Sequence, residues 1–372
     1  MALGTPSESP AVVVKEIDLT GGVPNVQSST GAFVGNFRWG TVNERVAISE
    51  EAGLAETFGT PDNLNLRDID FVSASQFLRY SNTLRVVRTT TSAAKNSVHA
   101  AGQTNGLSLS AVTNNNKANF DALISAFDSD RHTFIGRFPG ALGNSIRISV
   151  WDSSDLTNWT YASSFDAAPG TSTFATNKNA SNDEMHLVVV DQGGLLTGTV
   201  GTVLETYPFV SKALDAKNTD GSTNYVKDIV NERSQYVHMV DFDSDFTVAG
   251  AGTTADSGEN FVRTKRAATN YDLTLGVNSG TLGASEYATG FDKFEDPDTI
   301  TVDFLIAPGM SSRADQTTVV NDLVTIAQTT RKDCVAVASP ARTDIVASTT
   351  PVTSAVTTAN TFTNSSYLIV DN

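Results

Sequence analysis

Thr30-Gly31-Ala32-Phe33-Val34-Gly35-Asn36-Phe37-Arg38-Trp39-Gly40 opens the most patterned stretch of the chain, and Phe77-Leu78-Arg79-Tyr80-Ser81-Asn82-Thr83-Leu84-Arg85-Val86-Val87-Arg88 closes it. Ala32 to Phe37 reads as a strand and Val46-Ala47-Ile48 as a short extended piece. Ser49 is positioned as an N-cap before Glu50 and Glu51, whose charges favour a helix start. Leu54 and Phe58, four apart, share one face of that helix, and Gly59-Thr60-Pro61 stops it. A second helix is expected from about Ile69 to Tyr80, with Ile69, Val72 and Phe77 near helical spacing. Ser81-Asn82 turns the chain into the strand Leu84 to Val87, on which Arg85 and Arg88 read as solvated edge charges.

A second patterned region lies far along the chain. Ile300 to Ile306 is an apolar strand ending in Ala307-Pro308-Gly309. Arg313 to Thr330 is a helix that turns Val319, Val320, Leu323 and Ile326 inward, and Cys334 to Ala338 is a second strand. Such a βαβ unit requires a right-handed crossover and a parallel strand pair. The strand-like run Tyr367-Leu368-Ile369-Val370 follows.

Between these regions the pattern is weaker. Thr89 to Asn119 is rich in Ser, Thr, Asn and Ala and reads as an exposed connection or small surface lobe. Phe120 to Phe127 is a short amphipathic piece, and Ile146 to Trp151 alternates as a strand. Asp152 to Glu184 reads as loop, Met185 to Asp191 as a strand, and Gly193-Gly194 with Gly198 as a hairpin return toward Val203 to Tyr207. Tyr225 to Ser234 reads as a helix and Tyr236 to Val240 as a strand. Tyr271 to Gly290 scatters glycines among small polar residues.

Ahead of the opening stretch, Ala11-Val12-Val13-Val14-Lys15-Glu16-Ile17 is a β-branched run cut off by Gly21-Gly22-Val23-Pro24. A strand isolated in this way needs a partner, either in its own domain or in a neighbouring subunit through β-augmentation.

Composition narrows the class of function. At 372 residues the chain is long enough for two or three cores. Its net charge of -16 disfavours nucleic acid and acidic membrane faces as partners. No apolar run approaches the roughly 20 residues of a membrane span, and no signal-peptide pattern opens the sequence. An unexported, cytoplasmic product is the default expectation. The single cysteine, Cys334, permits no intrachain disulfide and sits beside an apolar run, as a buried thiol does.

A search for chemistry returns little. His99, His132, His186 and His238 lack short metal-ligand spacing, and the sequence contains neither a phosphate-binding GxxxxGK[ST] loop nor a GxSxG elbow. Asp241, Asp243 and Asp245 would share one face of a strand and offer oxygens to a hard cation, but they lack the glycine and final Glu of a calcium loop. Glu295, Asp296 and Asp298 surround Pro297 and read as loop. No catalytic, metal or cofactor residues are therefore assigned.

The two ends of the opening stretch form part of a longer series of short motifs. The others are Phe58-Gly59-Thr60-Pro61, Ala94-Lys95-Asn96-Ser97, Phe138-Pro139-Gly140 to Asn144, Asn231-Glu232-Arg233-Ser234, Leu305 to Gly309 and Arg331 to Arg342. In this order and spacing the chain resembles the tail sheath proteins of contractile-tailed bacteriophages. The resemblance implies a multidomain fold, α/β to α+β, with mixed sheets and an extended N-terminal arm. It implies an arm at 1–26, a sheath core domain begun at 27–88 and resumed at 291–372, a reduced surface insertion or linker at 89–130, and a middle β-rich domain at 131–290.

It further implies a structural role rather than catalysis. Subunits stack in helical rings around a tail tube and contract to drive the tube through the host envelope. Expected partners are other sheath subunits, the tail tube protein, and baseplate and tail terminator proteins, with assembly in the host cytoplasm and residence in the virion. Val12, Val13, Val14 and Ile17 fall where the family donates its arm to a neighbour. Family members continue past Ser365 to Asn372 into a further domain that receives such arms, so the resemblance implies a chain lacking that domain. Two other readings compete. One is a metal-dependent α/β hydrolase using Asp303 or Asp344 near strand ends. The other is an adhesin-like surface protein, suggested by the Ser, Thr and Asn content.

Overall fold

The computed structural model describes residues 29–61, 66–99, 114–123, 133–242, 250–263, 268–346 and 348–371. Strands are β1 Gly31–Gly35, β2 Arg45–Ile48, β3 Leu84–Arg88, β4 Asn96–His99, β5 Phe134–Pro139, β6 Ile146–Trp151, β7 Glu184–Asp191, β8 Thr202–Ser211, β9 Val237–Met239, β10 Thr269–Asp272, β11 Phe304–Ile306, β12 Val335–Ala338 and β13 Leu368–Val370. Helices are α1 Glu51–Phe58, α2 Leu66–Leu78, α3 Lys117–Leu123, α4 Thr173–Asn177, α5 Val226–Arg233, α6 Ala284–Phe291, α7 Arg313–Thr325, α8 Arg342–Ile345 and α9 Pro351–Ala359.

A six-stranded sheet in the order β13-β12-β11-β1-β3-β2 brings the two patterned regions together. β1 runs parallel to both β3 and β11, which aligns Phe33 with Val86 on one side and Ile306 on the other. Only β2 is antiparallel. Every residue of β1 is buried, as a central parallel strand covered on both faces requires. Its side chains alternate between two apolar layers. Ala32 and Val34 pack with Leu305 and Ala336 beneath Tyr287 and Phe291 of α6 and Val319 and Leu323 of α7. Phe33 packs with Val86 and Leu84 beneath Leu54 and Phe58 of α1 and Phe71 of α2.

The fold is thus α+β with mixed sheets. β11, α7 and β12 form the expected parallel βαβ unit. Its helix continues as a π-helical turn over Ile326–Arg331 and stops at Lys332, whose φ of 65° is left-handed. The first strand of the unit is shorter than Ile300 to Ile306, because the Asp303 side chain accepts the Thr30 amide at 2.7 Å and holds β11 at its start.

Among the described residues there are two further sheets, both antiparallel, one of four strands in the order β10-β6-β7-β8 and one of three in the order β4-β5-β9. Ile148, Val150, Leu187, Val189 and Tyr271 pack with Val226, Ile229 and Val230 of α5 in their shared core.

Several expectations are revised. Thr89 to Asn119 is not simply an exposed connection: β4 lies within it, and Asn96, Ser97, Val98 and Asn114 are buried. The polar residues are accommodated by side-chain to backbone bonds, Asn96 Nδ2 donating to the Asn114 and Gly136 carbonyls and the Asn114 amide to Asn96 Oδ1. Tyr271 to Gly290 includes α6 rather than loop alone. Gly290 there lets the helix sit on the sheet, since a Cβ at that position would stand 2.4 Å from Val34 Cγ1. The residue capping α1 is Glu50, not Ser49, and it makes no side-chain cap bond. Helix α9, entered through Pro351, carries little sequence signal beyond a proline at its first turn.

Candidate assembly surface

The residues with chemical potential are used structurally. His186 stacks on Phe165 with ring centroids 4.2 Å apart. One ring nitrogen lies 2.7 Å from the Ala167 carbonyl, and the other accepts the Phe209 amide at 3.0 Å. This arrangement fixes a neutral ring with the proton on Nε2, and burial lowers its pKa below the usual value. His238 lies flat on Phe120 at 4.0 Å, and burial pushes it down to about 3, with a smaller contribution from nearby Arg137. His99 packs edge-on against Tyr271, and its Nδ1 lies 3.2 Å from the Asp272 carbonyl.

Cys334 is buried, and burial pushes its thiol up to about 11, which makes it a poor nucleophile. Asp344 accepts both nitrogens of the Arg313 fork and the Thr358 hydroxyl, while Asp303 caps the start of β1. Asp241 accepts the amide of its neighbour Phe242. Asp243, Asp245 and His132 lie outside the described residues. Glu295, Asp296 and Asp298 are exposed, with Asp296 accepting the Asp298 amide as in a turn. Among the described residues no group of three potential metal ligands converges, and no helix is long and apolar enough to cross a membrane.

Buried cations instead stitch the parts together. Arg88 corrects its reading as a solvated charge: it is 1% exposed, and its guanidinium donates to the Phe37, Gly40 and Pro139 carbonyls at 3.0, 2.6 and 2.6 Å. One side chain thereby joins β3, the exit of β1 and the end of β5, tying the six-stranded sheet to a three-stranded one. Arg331 donates to the Phe294 and Ile300 carbonyls and forks onto Asp333. At the end of the four-stranded sheet where β6 and β8 finish, Asp152 is held between Lys212 at 3.1 Å and Arg263 at 3.0 Å, all three being buried. For Arg88 the partly visible signal is position, an arginine closing an apolar strand run.

Outer surfaces remain for contacts with other molecules. On the last part of the chain Val346, Val352, Val356, Ile369 and Val370 are exposed, Val352 to 73% and Ile369 to 49%. Val352 and Val356, one turn apart on α9, share a face. β13 forms one border of the six-stranded sheet and β2 the other. A cleft of about 480 Å³ runs beside β8, lined by Glu205, Tyr207, Pro208, Asn224 and Arg233 among others. The arm residues Val12, Val13, Val14 and Ile17 lie outside the described residues, so nothing in the fold places them.

No family model matches the chain. It is 35% identical over 204 residues to the tail sheath protein of Salmonella phage ViI, covering 55% of this chain and 29% of that one. It is 39% identical over 95 residues to the tail sheath protein of Enterobacteria phage T4, covering 25% and 14%. With the tail sheath protein of Vibrio phage KVP40 it shares 34% identity over 80 residues, 22% and 12%. The matched part of the chain thus spans under a third of the length of these relatives. Among solved structures, the sheath tail protein of Listeria innocua gives a TM-score of 0.45 at 13% identity, covering 85% of this chain and 49% of that one. The sheath tail protein of Desulfitobacterium hafniense gives 0.43 at 9%, covering 84% and 49%. By its sequence, the chain is similar over part of its length to the tail sheath proteins of bacteriophages.

Proposed function

We propose that this chain is a structural subunit of a contractile phage tail sheath, one that polymerises in helical rings around a tail tube and contracts to drive the tube through the host envelope. The carrying observation is the 35% identity over 204 residues with the phage ViI sheath protein. The use of Asp303, Asp344, Cys334 and the described histidines in structural bonds and packing supports a role without catalysis. Its partners on this reading are further copies of itself, the tube, the baseplate and the terminator. It would assemble in the host cytoplasm and reside in the virion.

Residues 27–88 and 291–372 serve as one core domain in this proposal, which the pairing of β1 with β11 supports. Residues 131–290 serve as the middle domain and 89–130 as a reduced insertion. The arm at 1–26 is donated to a neighbour through Val12, Val13, Val14 and Ile17. Each ladder bond it makes contributes roughly 0.5–1.5 kcal/mol net, and repetition around a lattice turns that into strong cohesion. Contraction would then move subunits as rigid bodies on these arms, with no nucleotide required. Expressed as the complete gene product, the protein should sediment as polymer and appear as rings or tubes in negative stain, and removing residues 1–20 should leave it monomeric. A complete product that stays monomeric at high concentration overturns the proposal.

A further inference from the structure

Crossovers leave the six-stranded sheet toward opposite faces at β1 and β11. The chain from β1 returns to β3 by way of α1 and α2, which cover one face, whereas β11 reaches β12 through α7 on the other. At the carboxyl rim beside this divergence sits Asp70 of α2, 1% exposed. Gly35 admits it closely, because a Cβ there would stand 3.0 Å from that of Asp70. One carboxyl oxygen, Oδ2, accepts the Asn36 amide at 2.8 Å and the Tyr287 hydroxyl at 3.0 Å. Asp70 therefore joins the exit of β1 and helices α2 and α6, across a sequence separation of 217 residues.

The other carboxyl oxygen, Oδ1, is buried without a partner, and so is Asn36 Oδ1, although Asn36 Nδ2 donates to the Gly280 carbonyl at 2.9 Å. None of the ion pairs among the described residues involves Asp70. Among the described residues no cation is paired with it: Arg88 of β3 donates to the Phe37, Gly40 and Pro139 carbonyls and Arg38 to the Thr60 carbonyl. Tyr287 of α6 is a donor, Glu286 beside it turns back to the Gly283 amide, and Asp68 on α2 is a second acid. The exits of β1 and β11, Asn36-Phe37 and Ala307 to Met310, carry no charge. An ionised carboxylate here would leave one oxygen without a donor in an apolar setting, a costly state. A neutral acid converts that same oxygen into a hydroxyl, a donor where only acceptors are now left over.

We infer that Asp70 is carried in the folded protein as the neutral acid with its proton on Oδ1, taken from solvent on folding, and that it acts as a proton-held latch between the β1 exit with α2 and helix α6, which sits on the six-stranded sheet. Burial pushes its carboxyl up to about 7, against the opposing pull of the Asn36 and Tyr287 bonds. A raised folded pKa means that the native state binds a proton the unfolded chain has released. The latch is strongest at acid pH and weakens as pH climbs from the ordinary carboxylate range to about 7, beyond which no further loss follows.

Asp70→Asn tests this directly, because an amide presents a permanent donor beside a carbonyl that still accepts from Asn36 and Tyr287. Thermal midpoints of wild type and Asp70→Asn should diverge as pH rises from about 4.5 to about 7, the wild type falling relative to the variant, and then run parallel. Curves parallel throughout that range overturn the latch. Independently of whether the variant folds, the carboxyl ¹³C titration of Asp70 in the wild type should have a midpoint near neutrality, and Tyr287→Phe should move it higher. A midpoint below about 5, or one that Tyr287→Phe leaves in place, contradicts the inference.

Discussion

The six-stranded sheet and the antiparallel sheets bury titratable groups in opposite ways. In the first, two apolar layers enclose β1, and Asp70 takes up a proton on folding. In the second, His186 and His238 are flattened against Phe165 and Phe120 and exclude a proton, while Asp152, Lys212 and Arg263 form a buried triad. The difference teaches that the parallel core is specified by apolar pattern, whereas the antiparallel part depends on polar groups that must be satisfied one by one.

The largest effect in breaking this contrast is expected at the triad. Asp152→Ala leaves two buried cations without their carboxylate and should cost about 3–5 kcal/mol in denaturant unfolding. Arg88→Ala removes the donor to three carbonyls at the junction of two sheets and should cost about 3 kcal/mol, with the intersheet contact rather than either sheet becoming the site of early hydrogen exchange.

Acid should then separate the two regions. A histidine with a lowered folded pKa contributes stability that is present above its unfolded value near 6.5 and lost as pH falls, by about 1.4 kcal/mol per unit for each site. For His238, held down to about 3, acidification from pH 7 to about 5 should cost about 2 kcal/mol that a His238→Phe variant does not lose. The Asp70 contribution changes in the opposite direction across that range, so exchange protection should fall in the antiparallel sheets while it holds in the parallel one. The smallest effect belongs to the exposed Lys117–Asp121 pair, where Lys117→Ala should change stability by under about 0.5 kcal/mol.

This contrast also explains what could be read in advance. Val319, Val320, Leu323 and Ile326 announced α7 because apolar spacing records which face is buried, and the alternation of Ile146, Ile148 and Val150 announced β6 in the same way. The pairing of β1 with β11 lay beyond reach, since nothing local encodes a partner some 270 residues away. Asn96 and Asn114 looked like surface because their burial depends on bonds to each other and to Gly136. Arg88 looked solvated because its three acceptors are backbone carbonyls from distant segments. Helix α6 was hidden by Gly290, a residue that weakens helices but is needed against Val34. For the assembly surface, the β-branched run at Val12 to Ile17 lies outside the described residues, and the exposed face of α9 is not marked by any motif.

The central claim, that this chain is a sheath subunit, is tested most directly on assembled particles. An antibody raised against residues 351–371, applied with immunogold to purified particles assembled from the genome that encodes the chain, should decorate a tail along its length. Gold confined to the capsid or baseplate, or virions free of the chain altogether, would contradict it.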